Sequence, residues 1–357
     1  MSGGVDSSVA AALLQRAGHD VIGLTLRLHV PGPDGAVHAC GGDSAESAAA
    51  AVAARMGVPH QVIDLAPQFL AAVLRPAWDE YAAGRTPNPC VACNQAIKFG
   101  LLLDRARALG AVALATGHYA RVAPGPDGAP ALFRGRDPAK DQSYFLHRIH
   151  PERLAAIRFP LGDLTKPEVR ALAAEWGFEN ARRPDSQDAC LAIGDLGFPE
   201  TLRRLFGQAA NPGPVVDESG RMLGTHAGVH GLTVGQRRGV GPALGRRAWV
   251  LRLDGDRAVV TTDPDRLACT RFRVRPAPGH GRWLPDGARA DCAVQVRYRH
   301  VAVPCRVTAG DGAWQVDAAT PIRAVTPGQS AVFYEGDRVL GGGVILAAEP
   351  AGGVSAS

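Results

Sequence analysis

Met1-Ser2-Gly3-Gly4-Val5-Asp6-Ser7-Ser8 opens the chain and decides how the rest is read. Two adjacent glycines remove the Cβ atoms that would hold a backbone away from an anion. Ser7 and Ser8 can then open the alanine- and leucine-rich segment Ser8–Ala17 as a helix, whose free N–H groups face the same anion. The turn lacks the Gly-Lys-Ser/Thr ending of the common phosphate loop, so it does not invite a cradle for β and γ phosphates. The plainer alternative is a serine-capped N-terminal helix.

Outward from this turn, residues 20–27, 60–64 and 111–115 read as strands. Asp43–Met56, Ala66–Ala83 and the stretch near Asn94–Leu109 read as helices. Asp43 and Glu46 are spaced as a capping box, and Thr165-Lys-Pro-Glu168 repeats the device. Strands alternating with helices imply an α/β domain with a parallel sheet covered on both faces. Ligands of such sheets sit at the carboxyl ends of the strands, where the opening turn and Thr116-Gly117-His118-Tyr119 both fall. From about residue 196 turns become frequent. Beyond Asp263, segments such as RFRVRP, ADCAVQVRYR and SAVFYEG alternate apolar and polar residues, which predicts a C-terminal antiparallel β-barrel. The expected division is 1–195 for the α/β domain, 196–263 for a small central domain, 264–350 for the barrel and 351–357 for a disordered tail.

Of the 357 residues 46% are hydrophobic, enough for several packed cores, and neither a signal peptide nor a long apolar span is visible. A cytoplasmic protein is expected. Its seven cysteines are then not a disulfide framework. The net charge of +5 permits a nucleic-acid partner without establishing one. Two polar loops carry cysteines: GRTPNPCVACNQAIKF (84–99), with Cys90 and Cys93, and RPDSQDAC (183–190), with Cys190. Pro87 and Pro89 are expected to hold the first loop extended up to a helix at Asn94, where the helix dipole would favour a thiolate. Each thiol taken alone reads equally well as an inert buried residue. Cysteines in two such loops of one domain favour chemistry. Cys40, Cys269, Cys292 and Cys305 carry no motif, and the last three read as barrel core.

Together the motifs resemble those of the bacterial tRNA-specific 2-thiouridylases, in the PP-loop ATP pyrophosphatase superfamily with its adenine nucleotide α-hydrolase-like fold. SGGVDSS, the 84–99 loop, ATGHYAR (115–121), KDQSYFL (140–146), DSQDAC (185–190), TVGQRRG (233–239) and VRYRH (296–300) carry the resemblance. It implies a tRNA-uridine 2-sulfurtransferase, in which ATP adenylates O2 of the wobble uridine and sulfur then replaces that oxygen. It places Ser2, Gly3, Gly4, Val5, Asp6 and Ser7 on ATP, Leu26 and Gly117 near the adenine, and Mg²⁺ on the phosphates. Cys190 would carry a persulfide received from a cysteine desulfurase or a sulfur-relay protein. Cys93 would release that sulfur and close a transient Cys93–Cys190 disulfide. Asn88, Pro89 and Cys90 would meet the target base, with His118, Lys140, Asp141 and Gln142 nearby. Arg297, Tyr298 and Gln329 would contact tRNA from the barrel, where arginine can pair phosphates and tyrosine can stack on a splayed base. Lys, Glu and Gln acceptor tRNAs are implied.

Many members of that family carry Asp where this chain has Cys90. Cys90, Cys93 and Cys190 would make a three-thiol set of the kind other PP-loop tRNA thiolases use for an iron–sulfur cluster, so a cluster is an open expectation. The family also places a strand before the loop, and a start upstream of Met1 is expected. Two further readings stay open: another adenylating enzyme of the same fold, indifferent to the loop cysteines, and a non-catalytic tRNA-binding protein.

Overall fold

The computed structural model describes residues 1–30, 42–182, 196–240, 247–279 and 283–349. The chain forms two compact units. One comprises Met1–Leu74, Cys90–Phe198 and Asp337–Val339; the other comprises Arg75–Pro89, Pro199–Gly336 and Leu340–Ser357.

In the first unit the helix Val5–Arg16 buries Val5, Val9, Ala10 and Ala12 against Val169 and Ala173 of the helix Lys166–Glu175. The strands Gly23–Arg27 and His60–Asp64 run parallel, with Leu26 opposite Ile63. Leu114–Ala115 and Ile157–Arg158 make a second parallel pair. The expected parallel sheet is therefore present as two short ladders, both packed on a core around Phe99, Leu103, Leu146 and Ile157. The strand at 60–64 has its expected bounds, while those at 20–27 and 111–115 shorten to their C-terminal parts, Gly23–Arg27 and Leu114–Ala115. An antiparallel hairpin, Ala120–Pro124 with Pro130–Arg134, was not expected from the sequence. Prolines at the turn ends of both strands and the Gly-Pro-Asp-Gly between them read as loop, not as strand.

Two helices depart from expectation. The 66–83 segment is helical but widens to a π-turn at Leu70–Leu74 before continuing as Arg75–Ala82. The helix expected at Asn94 starts five residues earlier, with Pro89 as its first residue, where a missing N–H costs nothing. It passes through a π-helical stretch, Cys93–Leu102, and ends at Ala108.

In the second unit six antiparallel strands close a barrel: Ala268–Pro276, Arg289–Gln295, Val303–Gly310, Ala313–Arg323, Ser330–Glu335 and Arg338–Glu349. Closure comes from Ala268–Pro276, which pairs with both Ala313–Arg323 and Arg338–Glu349. Alternate residues of each strand point inward, and Phe272, Val294, Val307, Trp314, Phe333 and Ile345 fill the interior. Cys269 and Cys305 lie in that core, and Cys292 packs against it, directly across the ladder from Cys305. A separate four-stranded sheet, Gly213–Val216, Met222–His226, Trp249–Asp254 and Arg257–Thr261, packs around Val215, Leu232, Val250 and Val260. Among the described residues no helix is long and apolar enough to cross a membrane.

Candidate functional site

The opening turn folds back on itself. Gly3 has φ of +69°, and a Cβ on it would lie 2.7 Å from the Ala45 carbonyl oxygen of the helix Gly42–Met56. A glycine is required there on both counts. The helix opens at Val5 with Gly4 as its cap, so Ser7 and Ser8 are not the caps that the sequence suggested. They sit in the first turn instead, each hydroxyl donating to the Gly4 carbonyl, at 3.0 and 3.1 Å. The Ser2 N–H in turn donates to Ser7 Oγ at 3.1 Å. Gly4 has no side chain to cap the first-turn N–H groups, which leaves that end of the helix suited to an anion.

Long-range partners hold this loop. Lys166 donates from Nζ to both carboxylate oxygens of Asp6, at 2.7 and 2.8 Å, and Tyr119 Oη donates to Asp6 Oδ1 at 2.8 Å. Asn180 Nδ2 reaches the Gly3 carbonyl and Ser8 Oγ, both at 3.0 Å. Gly117 lies against the loop so closely that a Cβ would come within 2.7 Å of the Asp6 carbonyl carbon. The structure thus brings Gly117 to Ser2–Ser7, as expected. Leu26 stands on the strand Gly23–Arg27, its side chain packed on the core around Phe99. Tyr119 belongs to the Thr116–Tyr119 stretch expected beside the turn, whereas Lys166 and Asn180 were not singled out as site residues in the sequence. The one available signal was Lys166 in the capping box, which forms as expected, with the Thr165 N–H 2.6 Å from Glu168 Oε2.

Cys90 and Cys93 sit in the opening turns of the helix that begins at Pro89, Cys93 buried and Cys90 half-buried. Burial pushes both thiols above their ordinary pKa, and the Lys98 ammonium opposes this only in part. The expected dipole-stabilised thiolate is therefore corrected: desolvation outweighs the favourable field, and both groups are neutral thiols at pH 7. Lys98 follows Cys93 by five residues, the spacing that the wider π-helical turn brings onto one face. It also acts on His118, whose imidazole burial holds well below its usual pKa. His118 packs on Phe99 and Phe159 and pairs through Nδ1 with Thr116 Oγ1 at 2.8 Å. Being neutral, it is equipped to hydrogen-bond a base more than to pair a phosphate.

Asp141 accepts from Arg134, from the Gly135 and Ser143 N–H groups and from Ser143 Oγ, so its carboxylate is engaged within the unit. Gln142 is locked onto Tyr119, accepting its N–H through Oε1 while its own N–H donates to the Tyr119 carbonyl. Lys140 sits just before them, its N–H on the Asp137 carbonyl. Cys190 and Cys40 lie outside the described residues. Among the described residues no group of three metal-ligating side chains converges; Cys190, the third thiol of the expected set, lies outside them.

In the second unit Gln329 does not point its amide outward. Its Nε2 donates to the Thr86 and Pro87 carbonyls, at 3.0 and 3.4 Å, while the Thr86 N–H donates to Pro327. Thr86 Oγ1 also meets Thr233 Oγ1 at 3.0 Å, which fixes the extended segment leading to Asn88 and Pro89. Arg297 and Tyr298 lie in a turn after the strand Arg289–Gln295, not on the barrel wall. Arg297 and Arg299 are exposed there on either side of Tyr298, and the Arg299 guanidinium stands 5.3 Å from its ring centre.

Comparisons with known proteins cover all these parts. Residues 1–194 match the tRNA methyl transferase HUP domain, 200–262 the tRNA methyl transferase PRC-barrel domain and 278–345 the aminomethyltransferase beta-barrel domain. The tRNA-specific 2-thiouridylase MnmA of Rhodospirillum centenum is 46% identical, over 98% of this chain and 91% of the relative. That of Chloroflexus aggregans is 44% identical over 98% of each, and that of Pelobacter propionicus 43% identical over 98% of this chain and 96% of its own. With its whole length matched and its glycine turn and paired cysteines in place, the chain belongs to the tRNA-specific 2-thiouridylase family.

Proposed function

We propose that the chain is a tRNA-uridine 2-sulfurtransferase that makes 2-thiouridine at the wobble position at the expense of ATP. In this reading 1–195 adenylates and thiolates, while 196–263 and 264–350 bind tRNA. The observation that carries it is the union, in one compact unit, of an uncapped glycine-turn helix start and a pair of thiols. An anion site alone would serve any adenylating enzyme of the fold, but acceptors such as ammonia or lysine have no use for the thiols.

ATP lies with its phosphates on Ser2–Ser7 and its adenine towards Leu26 and Gly117. When bound, Mg²⁺ would supply charge neutralisation on the phosphates; the Asp6 carboxylate of the loop is itself engaged by Lys166 and Tyr119. Uracil O2 attacks the α-phosphorus, pyrophosphate departs, and O2 becomes part of an AMP leaving group. Cys190 carries the persulfide. Its outer sulfur attacks C2 directly, and a thiol then attacks the Cys190 sulfur to break the S–S bond and free the 2-thiouridine, or Cys93 attacks the inner sulfur, forming the Cys93–Cys190 disulfide and releasing hydrosulfide as the nucleophile. Either way AMP leaves with the former O2, and a reducing thiol resets the disulfide. Burial keeps Cys93 protonated and inert until its proton is taken, with Lys98 as the cation nearest to the resulting thiolate. No step is routed through an iron–sulfur cluster. Asn88, Pro89 and Cys90 meet the target base, neutral His118 hydrogen-bonds nearby, and Arg297 with Tyr298 takes a phosphate and a base. Gln329 serves tRNA binding through the Thr86–Pro87 segment that it holds. A cysteine desulfurase or relay protein loads Cys190, and Lys, Glu and Gln acceptor tRNAs are the substrates.

Nucleoside mass spectrometry of unmodified tRNA incubated with ATP, Mg²⁺, cysteine and a desulfurase tests the reading. One sulfur for one oxygen at the wobble uridine, lost in Cys190→Ser, is the expected result. ATP turnover with tRNA but no thiolation would favour another adenylating enzyme, and no turnover at all would favour a binding protein.

A further inference from the structure

The ion pair between Lys166 and Asp6 at the nucleotide loop has no place in the steps above. The Lys166 side chain is 7% exposed, and both oxygens of Asp6 receive its ammonium, at 2.7 and 2.8 Å. The residue itself is anchored from three directions. Its N–H donates to Asp137 Oδ2 at 2.9 Å, its helix is capped by Thr165 and Glu168, and Glu168 is paired with Arg136 at 2.6 Å. The ammonium is thus delivered from a rigid frame 160 residues away in sequence. It arrives at the acidic residue of the first turn, beside N–H groups suited to an anion.

That location poses an electrostatic problem. A bare carboxylate in the first turn would repel the polyphosphate that the helix start is meant to receive. Tyr119 Oη, which also donates to Asp6, fixes the carboxylate but cannot neutralise it. Lys166 does both. We propose that Lys166 is a positioning residue of the nucleotide site, acting through Asp6: it cancels the charge of that carboxylate and fixes its place, so that ATP settles on the turn without repulsion. The inference rests on the ATP-dependent reading above and adds to it a residue that neither the glycine turn nor the cysteine loops would suggest.

A charge role and a merely structural role diverge in a double variant. ATP binding is measured by isothermal titration in EDTA, so that no divalent ion intervenes, with folding checked by circular dichroism. Lys166→Met is expected to bind ATP at least about tenfold more weakly than wild type, because it strips the cation from Asp6. Asp6→Asn/Lys166→Met is expected to bind ATP at least about threefold more tightly than Lys166→Met, because no charge is left to repel the phosphates. Lys166→Gln, which keeps a hydrogen bond to Asp6 but no charge, should match Lys166→Met and serves where the latter does not fold. A neutral Lys166 variant that binds ATP like wild type overturns the proposal. So does a folded double variant as weak as the single one, which would place Lys166 on the phosphates or in a packing role. Wild-type protein that binds no ATP overturns the adenylation reading and this inference with it.

Discussion

The nucleotide loop and the dithiol helix occupy one unit but are assembled by opposite means. Ser2–Ser8 is held by charged and polar partners distant in sequence, Tyr119, Lys166 and Asn180, and it presents N–H groups ready for an anion. The helix start at Cys90 and Cys93 keeps its thiols neutral by burying them. One site is set before its ligand comes; the other is kept quiet until the chemistry reaches it. Pre-organised donors cost no rearrangement when a ligand binds. A thiol held above its usual pKa resists alkylation and oxidation while it waits. The comparison predicts that the two sites fail separately.

The largest effect is expected from Cys93→Ser. If the route through the Cys93–Cys190 disulfide is used, thiolation falls to background while ATP binding stays within about twofold of wild type, since no loop contact is touched. Nucleoside mass spectrometry beside calorimetric titration of ATP reads both. Retained thiolation would leave direct attack by the Cys190 persulfide as the route. Next comes the mirror change on the loop, Gly117→Ala. The added Cβ would meet the Asp6 carbonyl carbon at 2.7 Å, and the loop must shift. A displacement on the order of 1 Å costs about a hundredfold in rate, so pyrophosphate release should fall by that factor while Cys90 and Cys93 alkylate as before. Loss of both functions in either variant would mean that the two sites are one cooperative structure.

The two regions also differ in how far they can be read from sequence. The glycine turn was legible because its chemistry is local: adjacent glycines and serines fold on themselves whatever lies elsewhere. Its supports were not legible, since Lys166 and Asn180 are brought to it only by tertiary packing, and a capping box says nothing about where the lysine side chain goes. The dithiol motif was equally plain as a spacing, yet its electrostatics were misjudged. The helix dipole is a local property, but the burial that raises both thiols is set by tertiary packing. Similarly, alternation revealed the barrel strands, whereas it could not show that Gln329, a tRNA contact by expectation, donates its amide to Thr86 and Pro87. Alternation and capping are properties of short windows; partner choice is not.

A smaller effect should come from Lys98, the cation that partly offsets burial at both thiols. Lys98→Met removes a cation that favours both thiolates, so their pKa values rise further and the thiolate fraction at pH 8 drops. Alkylation of Cys90 by iodoacetamide should therefore be slower in the variant. In wild type the rate should still be climbing from pH 8 to 9, because both thiols titrate above their ordinary range. A plateau below pH 8 would mean that the thiols are activated in the free protein and that the contrast with the loop is false.

The smallest effect tests the frame behind the loop. Glu168 closes the capping box on Thr165 and pairs with Arg136, and its carboxyl is held at about 2 by the Thr165 N–H first and the Arg136 guanidinium next. The sign follows from the direction of that shift. A carboxyl whose folded pKa lies below its ordinary value contributes stability that is complete above about pH 4.5, and this contribution fades as the pH falls towards about 2. Glu168→Gln should therefore lower the melting temperature slightly at pH 7 and flatten the acid limb of the melting profile between pH 5 and pH 2. The group is exposed, so solvent screens the pair and the change stays modest. Its consequence for the comparison is larger than its size. The first turn of this helix carries Lys166, so loosening it should weaken ATP binding a little while leaving thiol alkylation where it was. Equal changes at both sites would place Glu168 in the stability of the whole unit, and no change in ATP binding would show that Lys166 needs no cap to reach Asp6.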